Sequence, residues 1–338
     1  MSAGVDAAAL RSYLDAAVPG FVTGDLTVEL IQGGRSNLTY SVSDSARRFI
    51  VRRPPLGHVL STAHDMSREY TVLTALAPTS VPVPRTVALC SDEAVIGASF
   101  YVMDFVDGAI YRTAASAAAL GGERVNALAD DLVDVLVELH RVDPASVGLA
   151  EFGRPDGYLE RQLRRWGKQL DSSRSRDVEG IDELHARLEA RLPTHTGHAG
   201  IVHGDYRLDN AIADPVSDRI VAVLDWEMAT LGDQLTDLGL MLMYWEQMVN
   251  PLQTSMFGVQ RVDGLPETDR LRHRYAERAG ADLGDLPWYE AFAHFKLAVI
   301  AEGIHYRYVA GQTLGEGFEQ FGPMVPEIVA RGLSTMEA

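Results

Sequence analysis

The stretch that decides the fold is His203-Gly204-Asp205-Tyr206-Arg207-Leu208-Asp209-Asn210, followed after a short interval by Leu224-Asp225-Trp226-Glu227. It contains an acid at Asp205, an amide five residues later at Asn210, and a second acid at Asp225. A single motif of this kind is most often explained by Asp and Asn serving as turn and cap residues. Two such motifs at this separation are better explained by a functional site.

The interval between the two motifs predicts a β-hairpin. Ala211 to Ala213 and Arg219 to Leu224 have the pattern of short strands, and Asp214-Pro215-Val216-Ser217-Asp218 has the composition of a turn. We expect a hairpin of this length to return Asp225 close to Asn210. The first acid then lies on the loop that precedes the hairpin.

Acid, amide and acid are the residue types that phosphoryl transfer uses. One carboxylate accepts the proton of an attacking hydroxyl, while an amide oxygen and another carboxylate hold the Mg²⁺ that neutralises a triphosphate. We therefore expect Asp205 to be the catalytic base, and Asn210 and Asp225 to be metal ligands. His203 is expected to brace the loop through hydrogen bonds. A metal site at His203 is the weaker alternative, because no further ligand lies at suitable spacing.

Both motifs resemble those of the aminoglycoside phosphotransferase and choline kinase family, which has a protein-kinase-like fold. His-Gly-Asp-x-x-x-x-Asn takes the place of the protein-kinase His-Arg-Asp-x-x-x-x-Asn, and Leu-Asp-Trp-Glu takes that of Asp-Phe-Gly. The resemblance implies an α+β, bilobal fold, with a small antiparallel-sheet N-terminal lobe and a larger, mainly helical C-terminal lobe. It implies ATP and Mg²⁺ as cofactors. It also implies that Asp237 is a structural acid that braces the catalytic loop.

The segment Tyr-Leu-Glu-Arg-Gln-Leu-x-x-Trp at 158–166 is similar to a branch of this family, the kinase-like domains fused to acyl-CoA dehydrogenases. That similarity suggests hydroxylated acyl thioesters as phosphate acceptors, beside aminoglycosides and amino alcohols. The resemblance covers roughly residues 26 to 310 and is most specific between 203 and 239.

The first lobe is predicted to contain a glycine-rich loop, Gly33 to Asn37, between two strands. Glycine allows the backbone to approach a phosphate, so Gly34 is a candidate, and Ser36 and Asn37 could donate hydrogen bonds there. A plain hairpin turn is the alternative for this segment. Its place in a kinase-like chain favours the phosphate-covering loop.

Only two of the 30 basic Lys and Arg residues are lysines, Lys168 and Lys296, and neither lies in the predicted first lobe. A kinase-like fold normally takes a lysine from its third strand to the α- and β-phosphates. Arg52 occupies that position here, at the end of the predicted strand Arg47 to Arg52. Glu69, on a predicted helix over Met66 to Leu76, is expected to form a bidentate pair with it.

The strand Ser99 to Phe105 leads to Asp107-Gly108, which resembles a hinge between lobes. The backbone around Met103 and Phe105 would then contact the adenine edge. We expect residues 1–107 to form the nucleotide-binding lobe and 108–338 the catalytic and substrate-binding lobe. In the second lobe, helices are predicted over Val125 to His140, Gly157 to Leu170 and Ile181 to Leu192.

Composition excludes several classes. The net charge of −17 argues against nucleic acid as a partner, since binding a phosphate backbone needs a basic surface. No apolar run reaches the roughly 18 residues of a membrane span, and Cys90 is the single cysteine. A small-molecule hydroxyl substrate and a cytoplasmic location are the default expectations. The sequence does not indicate an oligomeric state.

Two other functions compete with a small-molecule kinase. The missing first-lobe lysine is compatible with a catalytically inactive, kinase-like nucleotide-binding module. A protein kinase is disfavoured because only eleven residues separate Asp225 from Asp237, too few for a long activation segment. Glu227 could serve a second ion, the phosphates or only the surface. Six aromatic residues of the last third could line a substrate pocket, although core packing is the commoner role: Tyr244, Trp245, Trp288, Tyr289, Tyr306 and Tyr308.

Overall fold

The computed structural model describes residues 4–31, 37–56, 65–194, 199–252, 263–313 and 316–337. Gly34 and Ser36 of the predicted glycine-rich loop lie outside this part of the chain. The chain divides into two compact units, Met1–Gly108 with Val221–Ala229, and Ala109–Ile220 with Thr230–Ala338.

The first unit is a small sheet with two helices. Its helices are α1 (Ala7–Ala17) and α2 (Met66–Leu76), and its strands are β1 (Thr27–Leu30), β2 (Leu38–Ser43), β3 (Arg48–Arg53), β4 (Thr86–Cys90) and β5 (Phe100–Asp104). The strands form one antiparallel sheet in the order β1-β2-β3-β5-β4. An N-cap aspartate precedes each helix, Asp6 before α1 and Asp65 before α2, and its carboxylate accepts hydrogen bonds from N–H groups of the first turn.

Alternation along the strands gives this sheet two different faces. Tyr40 and Val42 of β2 and Phe49 and Val51 of β3 are buried in one apolar cluster, which also contains Leu10 and Leu14 of α1. Arg52 has the opposite orientation on β3, and its guanidinium forms an ion pair with Glu69 of α2. Arg53 contacts the backbone oxygens of Gly4 and Ile96 instead. Arg52, rather than Arg53, therefore pairs with Glu69 as predicted, and its role at the phosphates stays a prediction.

The segment Val221–Ala229 belongs to the first unit, whereas the sequence placed it in the second lobe. Two contacts hold it there. The N–H of Val223 donates to the carbonyl oxygen of Pro82 over 2.8 Å, and Arg68 donates to the carbonyl oxygen of Ala229 over 3.2 Å. The sequence predicted a single boundary near residue 107, whereas the first unit consists of two separate segments of the chain.

The second unit is mainly helical. Its helices are α3 (Ala114–Ala118), α4 (Gly122–Arg141), α5 (Tyr158–Ser173), α6 (Ile181–Ala190), α7 (Leu235–Val249), α8 (Thr268–Ala279), α9 (Leu286–Val309) and α10 (Phe321–Thr335). The strands are β6 (Ala199–Val202), β7 (Ala211–Ala213), β8 (Ile220–Val223), which begins at the change of unit, and β9 (Thr230–Asp233). β6 pairs with β9 in antiparallel fashion. Helix α9 is apolar on most sides because it packs against α5, α6, α7 and α10.

The predicted helices and strands of this unit are present, with shifted ends. Helix α4 begins at Gly122 rather than Val125, and α5 begins at Tyr158 because Gly157 has a left-handed φ of +61° and precedes the helix. Asp214 N–H donates to the carbonyl oxygen of Arg219 over 2.8 Å, which closes the predicted turn. None of the helices in the described residues combines the length and apolar character that a bilayer crossing requires.

Candidate active site

A buried carboxylate in the second unit holds the loop that carries the acid–amide motif. Asp237, in the first turn of α7, accepts hydrogen bonds from His203 N–H over 2.6 Å and Gly204 N–H over 2.8 Å. Its side chain is fully buried. Gly204 has a left-handed φ of +85°, a conformation that favours glycine. The predicted brace between Asp237 and this loop is confirmed.

Asp237 stays ionised in this setting. Burial alone would raise its pKa, but the contact with His140 and the N–H donor of Gly204 hold the pKa of Asp237 below its ordinary value. The distance between Asp237 Oδ2 and His140 Nε2 is 3.6 Å. A permanent negative charge therefore anchors the two backbone N–H groups.

Asp205 and Asn210 are joined directly. Asn210 Nδ2 donates to the backbone oxygen and to Oδ2 of Asp205, each over 2.9 Å. Both partners are acceptors, so the amide nitrogen must face Asp205 and the amide oxygen of Asn210 faces away, where it can ligate a cation. Asp205 N–H donates to His203 Nδ1 over 3.1 Å, which confirms the predicted bracing by His203.

Two cations that the sequence did not identify lie beside Asp205, together with the ring of Tyr244, which the sequence analysis considered. Arg207 Nε is 3.5 Å from Asp205 Oδ2 and 3.1 Å from Asp209 Oδ1. The Arg207 guanidinium also covers the ring of Tyr244, 4.8 Å from its centre. Lys296 Nζ donates to the carbonyl oxygen of Gly204 over 2.8 Å.

The electrostatics of this group follow from burial. Burial lowers the pKa of Lys296, although the charges of Asp205 and Asp237 oppose the shift. Burial raises the pKa of Asp209 and of Tyr244. Of the six aromatic residues considered in the sequence, Tyr244 reaches this loop, while Trp245, Trp288 and Tyr289 are buried in the core.

In the first unit, Arg52 is surrounded by carboxylates. Its Nε is 3.0 Å from Glu69 Oε2, its Nη2 donates to Asp225 Oδ1, and the same nitrogen is 3.9 Å from Glu227 Oε2. The side chain is only 11% exposed. The expected Arg52–Glu69 pair is therefore present, but it is not bidentate, because the guanidinium is divided between Glu69 and Asp225.

Glu69 is the most deeply buried of these acids, at 1% exposure. Burial raises its pKa to about 7, against the lowering effects of Arg52 and of Tyr101. Tyr101 donates its hydroxyl proton to Glu69 Oε2 over 2.9 Å, and Asn37 Nδ2 donates to Glu69 Oε1 over 2.8 Å. The carboxylate thus has a partner on each oxygen.

Three further residues of the first unit are predicted to bind nucleotide: Asn37, Met103 and Phe105. The amide of Asn37 contacts protein carboxylates in this structure, and its role at the phosphates stays a prediction. Met103 is buried in β5, opposite Ile50 of β3. Phe105 follows that strand, with the Arg48 guanidinium 3.5 Å above its ring. Contacts of Met103 and Phe105 with adenine stay predictions.

Each of the two predicted metal ligands carries a hard oxygen donor. The amide oxygen of Asn210 and the carboxylate of Asp225 are hard ligands of the kind that Mg²⁺ prefers. Asp225 has a left-handed backbone, with φ +66°, which among the described non-glycine residues is shared only by Asp218. Across the described ranges, no group of three or more His, Cys, Asp or Glu side chains could hold a metal by itself.

The chain matches one family model and several solved structures. The model of the phosphotransferase enzyme family (APH) matches residues 27–292. A crystal structure of a Ralstonia eutropha protein, provisionally named an aminoglycoside phosphotransferase, is 34% identical, covers 98% of both chains and has a TM-score of 0.86. Spectinomycin phosphotransferase, solved with ADP and spectinomycin, has a TM-score of 0.61 at 12% identity and shows the fold alone.

Curated relatives include larger proteins. Acyl-CoA dehydrogenase family member 11 of Gallus gallus is 34% identical over 97% of this chain and 43% of its own length. The probable acyl-CoA dehydrogenase IBR3 of Arabidopsis thaliana is 32% identical over 94% of this chain and 41% of its own length. The chain thus spans less than half the length of these relatives.

The chain belongs to the phosphotransferase enzyme family and has its α+β, bilobal, protein-kinase-like fold. The small antiparallel-sheet lobe and the larger helical lobe correspond to the two units described above. The predicted family and fold class are confirmed. Small-molecule phosphotransfer is the kind of activity that the family supports.

Proposed function

We propose that this protein is an ATP- and Mg²⁺-dependent kinase that moves the γ-phosphoryl group to a hydroxyl of a small molecule. The observation that carries the proposal is the loop geometry at Asp205. Its carboxylate is oriented by Asn210, and its loop is fixed by a buried, ionised Asp237. A base in a fixed orientation is what phosphoryl transfer requires from the protein, since most of the catalysis comes from positioning and charge neutralisation.

In the proposed reaction, Asp205 accepts the proton of the acceptor hydroxyl as its oxygen attacks the γ-phosphorus. The bond between the γ-phosphorus and the bridging oxygen breaks, and ADP leaves with that oxygen. Asn210 and Asp225 are the proposed ligands of Mg²⁺, which when bound neutralises phosphate charge. Arg52 and the segment Gly33 to Asn37 are proposed to steady the phosphates. The nucleotide-binding role of residues 1–107 is part of the same proposal.

The cations at this loop do not select an acceptor by their charge, because acids accompany them. Arg207 lies beside Asp205 and Asp209, and Lys296 donates to the carbonyl oxygen of Gly204. The curated relatives include acyl-CoA dehydrogenase family member 11, of which this chain covers 43%. We propose a hydroxyacyl thioester of coenzyme A as the acceptor, because a kinase-like domain that shares a chain with an acyl-CoA dehydrogenase suits an acyl-CoA substrate.

The test is ADP release from Mg-ATP with hydroxyacyl-CoAs, amino alcohols, sugars and aminoglycosides as acceptors. We expect release with a hydroxyacyl-CoA, and a loss of about 10²–10⁴-fold in Asp205→Asn, the contribution of a general base. Asp214→Asn is the matched control, because Asp214 lies in the exposed turn after β7. An aminoglycoside as the best acceptor would contradict the proposed acceptor class. Activity that survives in Asp205→Asn would contradict the base.

The alternative is a catalytically inactive, kinase-like nucleotide-binding module. It is favoured by one observation, that arginine occupies the position of the usual lysine and already binds two carboxylates. Asp225→Asn separates the two functions. In an active kinase this substitution should weaken nucleotide binding only when Mg²⁺ is present, whereas in a module that binds nucleotide without the ion it should leave binding unchanged.

A further inference from the structure

The side-chain amide of Asn37 joins two carboxylates from distant parts of the first unit. Its Nδ2 donates to Glu69 Oε1 over 2.8 Å and to Glu227 Oε2 over 3.0 Å. The contact with Glu227 links residues 190 positions apart. Asn37 is only 3% exposed, so the amide makes these contacts away from solvent. A buried amide with both hydrogens directed at carboxylates is an organised arrangement rather than a surface coincidence.

Glu227 belongs to a short segment that carries the proposed metal ligand. A 3₁₀ turn over Trp226–Met228 follows Asp225, and Trp226 Nε1 donates to the carbonyl oxygen of Val223 over 2.9 Å. These contacts are local or involve backbone, and they do not fix the side chain of Asp225. The hydrogen bond between Glu227 and Asn37 ties the segment to the beginning of β2 and, through the same amide, to α2.

Charge balance explains why an amide is needed at this point. One guanidinium, that of Arg52, faces three carboxylates, from Glu69, Asp225 and Glu227. The Asn37 amide donates to both Glu69 and Glu227, and so gives Glu227 a donor other than the guanidinium. Arg52 is accordingly close to Glu69 and Asp225, at 3.0 Å from the former, and farther from Glu227, at 3.9 Å.

We propose that Glu227 is a positioning residue of the phosphotransfer reaction, which acts through Asn37 to hold Arg52 and Asp225 in their relative places. The inference rests on the proposed function, because its effect is on Mg-nucleotide binding and turnover. Glu227 has this effect because its side-chain oxygen accepts a hydrogen bond from Asn37, and not because the side chain is negatively charged.

Two substitutions of Glu227 distinguish the effect of side-chain length from the effect of charge. Glu227→Gln keeps an acceptor oxygen at the same distance and removes the charge, while Glu227→Asp keeps the charge and is one methylene too short to reach Asn37. We expect Glu227→Gln to stay within about threefold of the wild type. We expect Glu227→Asp and Asn37→Ala to lose about 10–100-fold in kcat/KM for Mg-ATP, as for a small displacement of positioning groups.

The loss should appear in the KM for Mg-ATP and in the Kd for Mg-ADP measured by calorimetry, with the KM for the acceptor unchanged. If Asn37 and Glu227 act through one hydrogen bond, the double variant Asn37→Ala/Glu227→Asp should lose no more kcat/KM than either single variant. Thermal unfolding of each variant is monitored by circular dichroism, to check that the variant is folded under the conditions of the binding measurement.

Several results would overturn the inference. An equal or greater loss in Glu227→Gln than in Glu227→Asp would show that the carboxylate charge is what the reaction needs. Wild-type behaviour of Glu227→Asp would show that the link has no role. A multiplicative loss in the double variant would show that the two residues act separately. A wild-type protein that binds no Mg-ADP and turns over no acceptor would overturn the proposed function itself, and that result is visible before any variant is made.

Discussion

Replacing Asp237 by asparagine removes the charge that anchors the catalytic loop without changing the size of the side chain. In the native protein, His203 N–H and Gly204 N–H both donate to this carboxylate. Asparagine has one oxygen, so it can accept from one N–H as a neutral partner, and its own NH₂ group then faces the other donor. The substitution therefore weakens one hydrogen bond and replaces the second by a contact between two donors.

The magnitude follows from these two bonds. A hydrogen bond to a charged group contributes about 1.5–3 kcal/mol, and a buried donor without an acceptor costs about 1–3 kcal/mol. Together they give a loss of about 2.5–6 kcal/mol in the free energy of unfolding, a range that includes the value for breaking a buried charged pair. Because the pKa of Asp237 lies below its ordinary 3.8, this contribution is fully present above that pH and is lost only as the pH falls below it.

The assay combines urea denaturation at pH 7 with the rate of phosphotransfer. Asp233→Asn is the matched control, since Asp233 is also a buried acid of this segment and accepts from Leu235 N–H and from the hydroxyl of Tyr289. Both variants should be less stable, but Asp237→Asn alone should reduce kcat, by about 10²-fold, because it releases the loop of Asp205. A stability loss below about 1 kcal/mol, or equal kcat values in the two variants, would refute the reasoning.

Three further predictions concern charges elsewhere in the two units. Arg52→Met should destabilise the protein more at pH 8.5 than at pH 6. The pKa of Glu69 is raised to about 7, so this buried carboxyl is ionised at the higher pH, where the variant lacks the guanidinium that would pair with it. Equal losses in thermal unfolding at both pH values would contradict this. Burial lowers the pKa of His294 from 6.5 to about 4, so the stability that its neutral ring contributes is present above 6.5 and is lost as the pH falls towards 4. His294→Gln should abolish about 2–3 kcal/mol of the difference in urea stability between pH 7 and pH 4.5, and an unchanged difference would rule this histidine out as its source. Lys296→Met removes a charged donor to the Gly204 carbonyl and should lower kcat at least about tenfold; a wild-type kcat would show that the loop does not depend on that bond.

Much of the fold was predictable because its determinants are local. Period-two alternation identified the strands of the first unit and predicted that Arg52 and Arg53 point to opposite faces of β3, where they have different partners. The spacing within the first motif predicted that Asp205 and Asn210 lie together, and the family resemblance predicted the brace at Asp237.

What the sequence missed depends on contacts between distant residues. Lys296 lies on α9 and reaches a carbonyl oxygen 92 positions earlier in the chain, and nothing in the local pattern of that helix indicates it. Tyr244 and Trp245 are neighbours in an apolar helix, yet one contacts Arg207 and the other is buried in the core. The division of the Arg52 guanidinium between two acids was likewise invisible, because it requires the segment Val221–Ala229 to belong to the first unit.

The central claim, that the protein phosphorylates a hydroxyl with Asp205 as the base, is tested most directly by following the γ-phosphoryl group itself. ATP labelled at the γ-phosphate is incubated with a hydroxyacyl-CoA, with and without Mg²⁺, and the label is traced to the acceptor for the wild type and for Asp205→Asn. The account predicts labelled acceptor only with the wild type and only with Mg²⁺. Tight Mg-dependent nucleotide binding without label on any hydroxyl acceptor, or equal labelling by the two proteins, would contradict it.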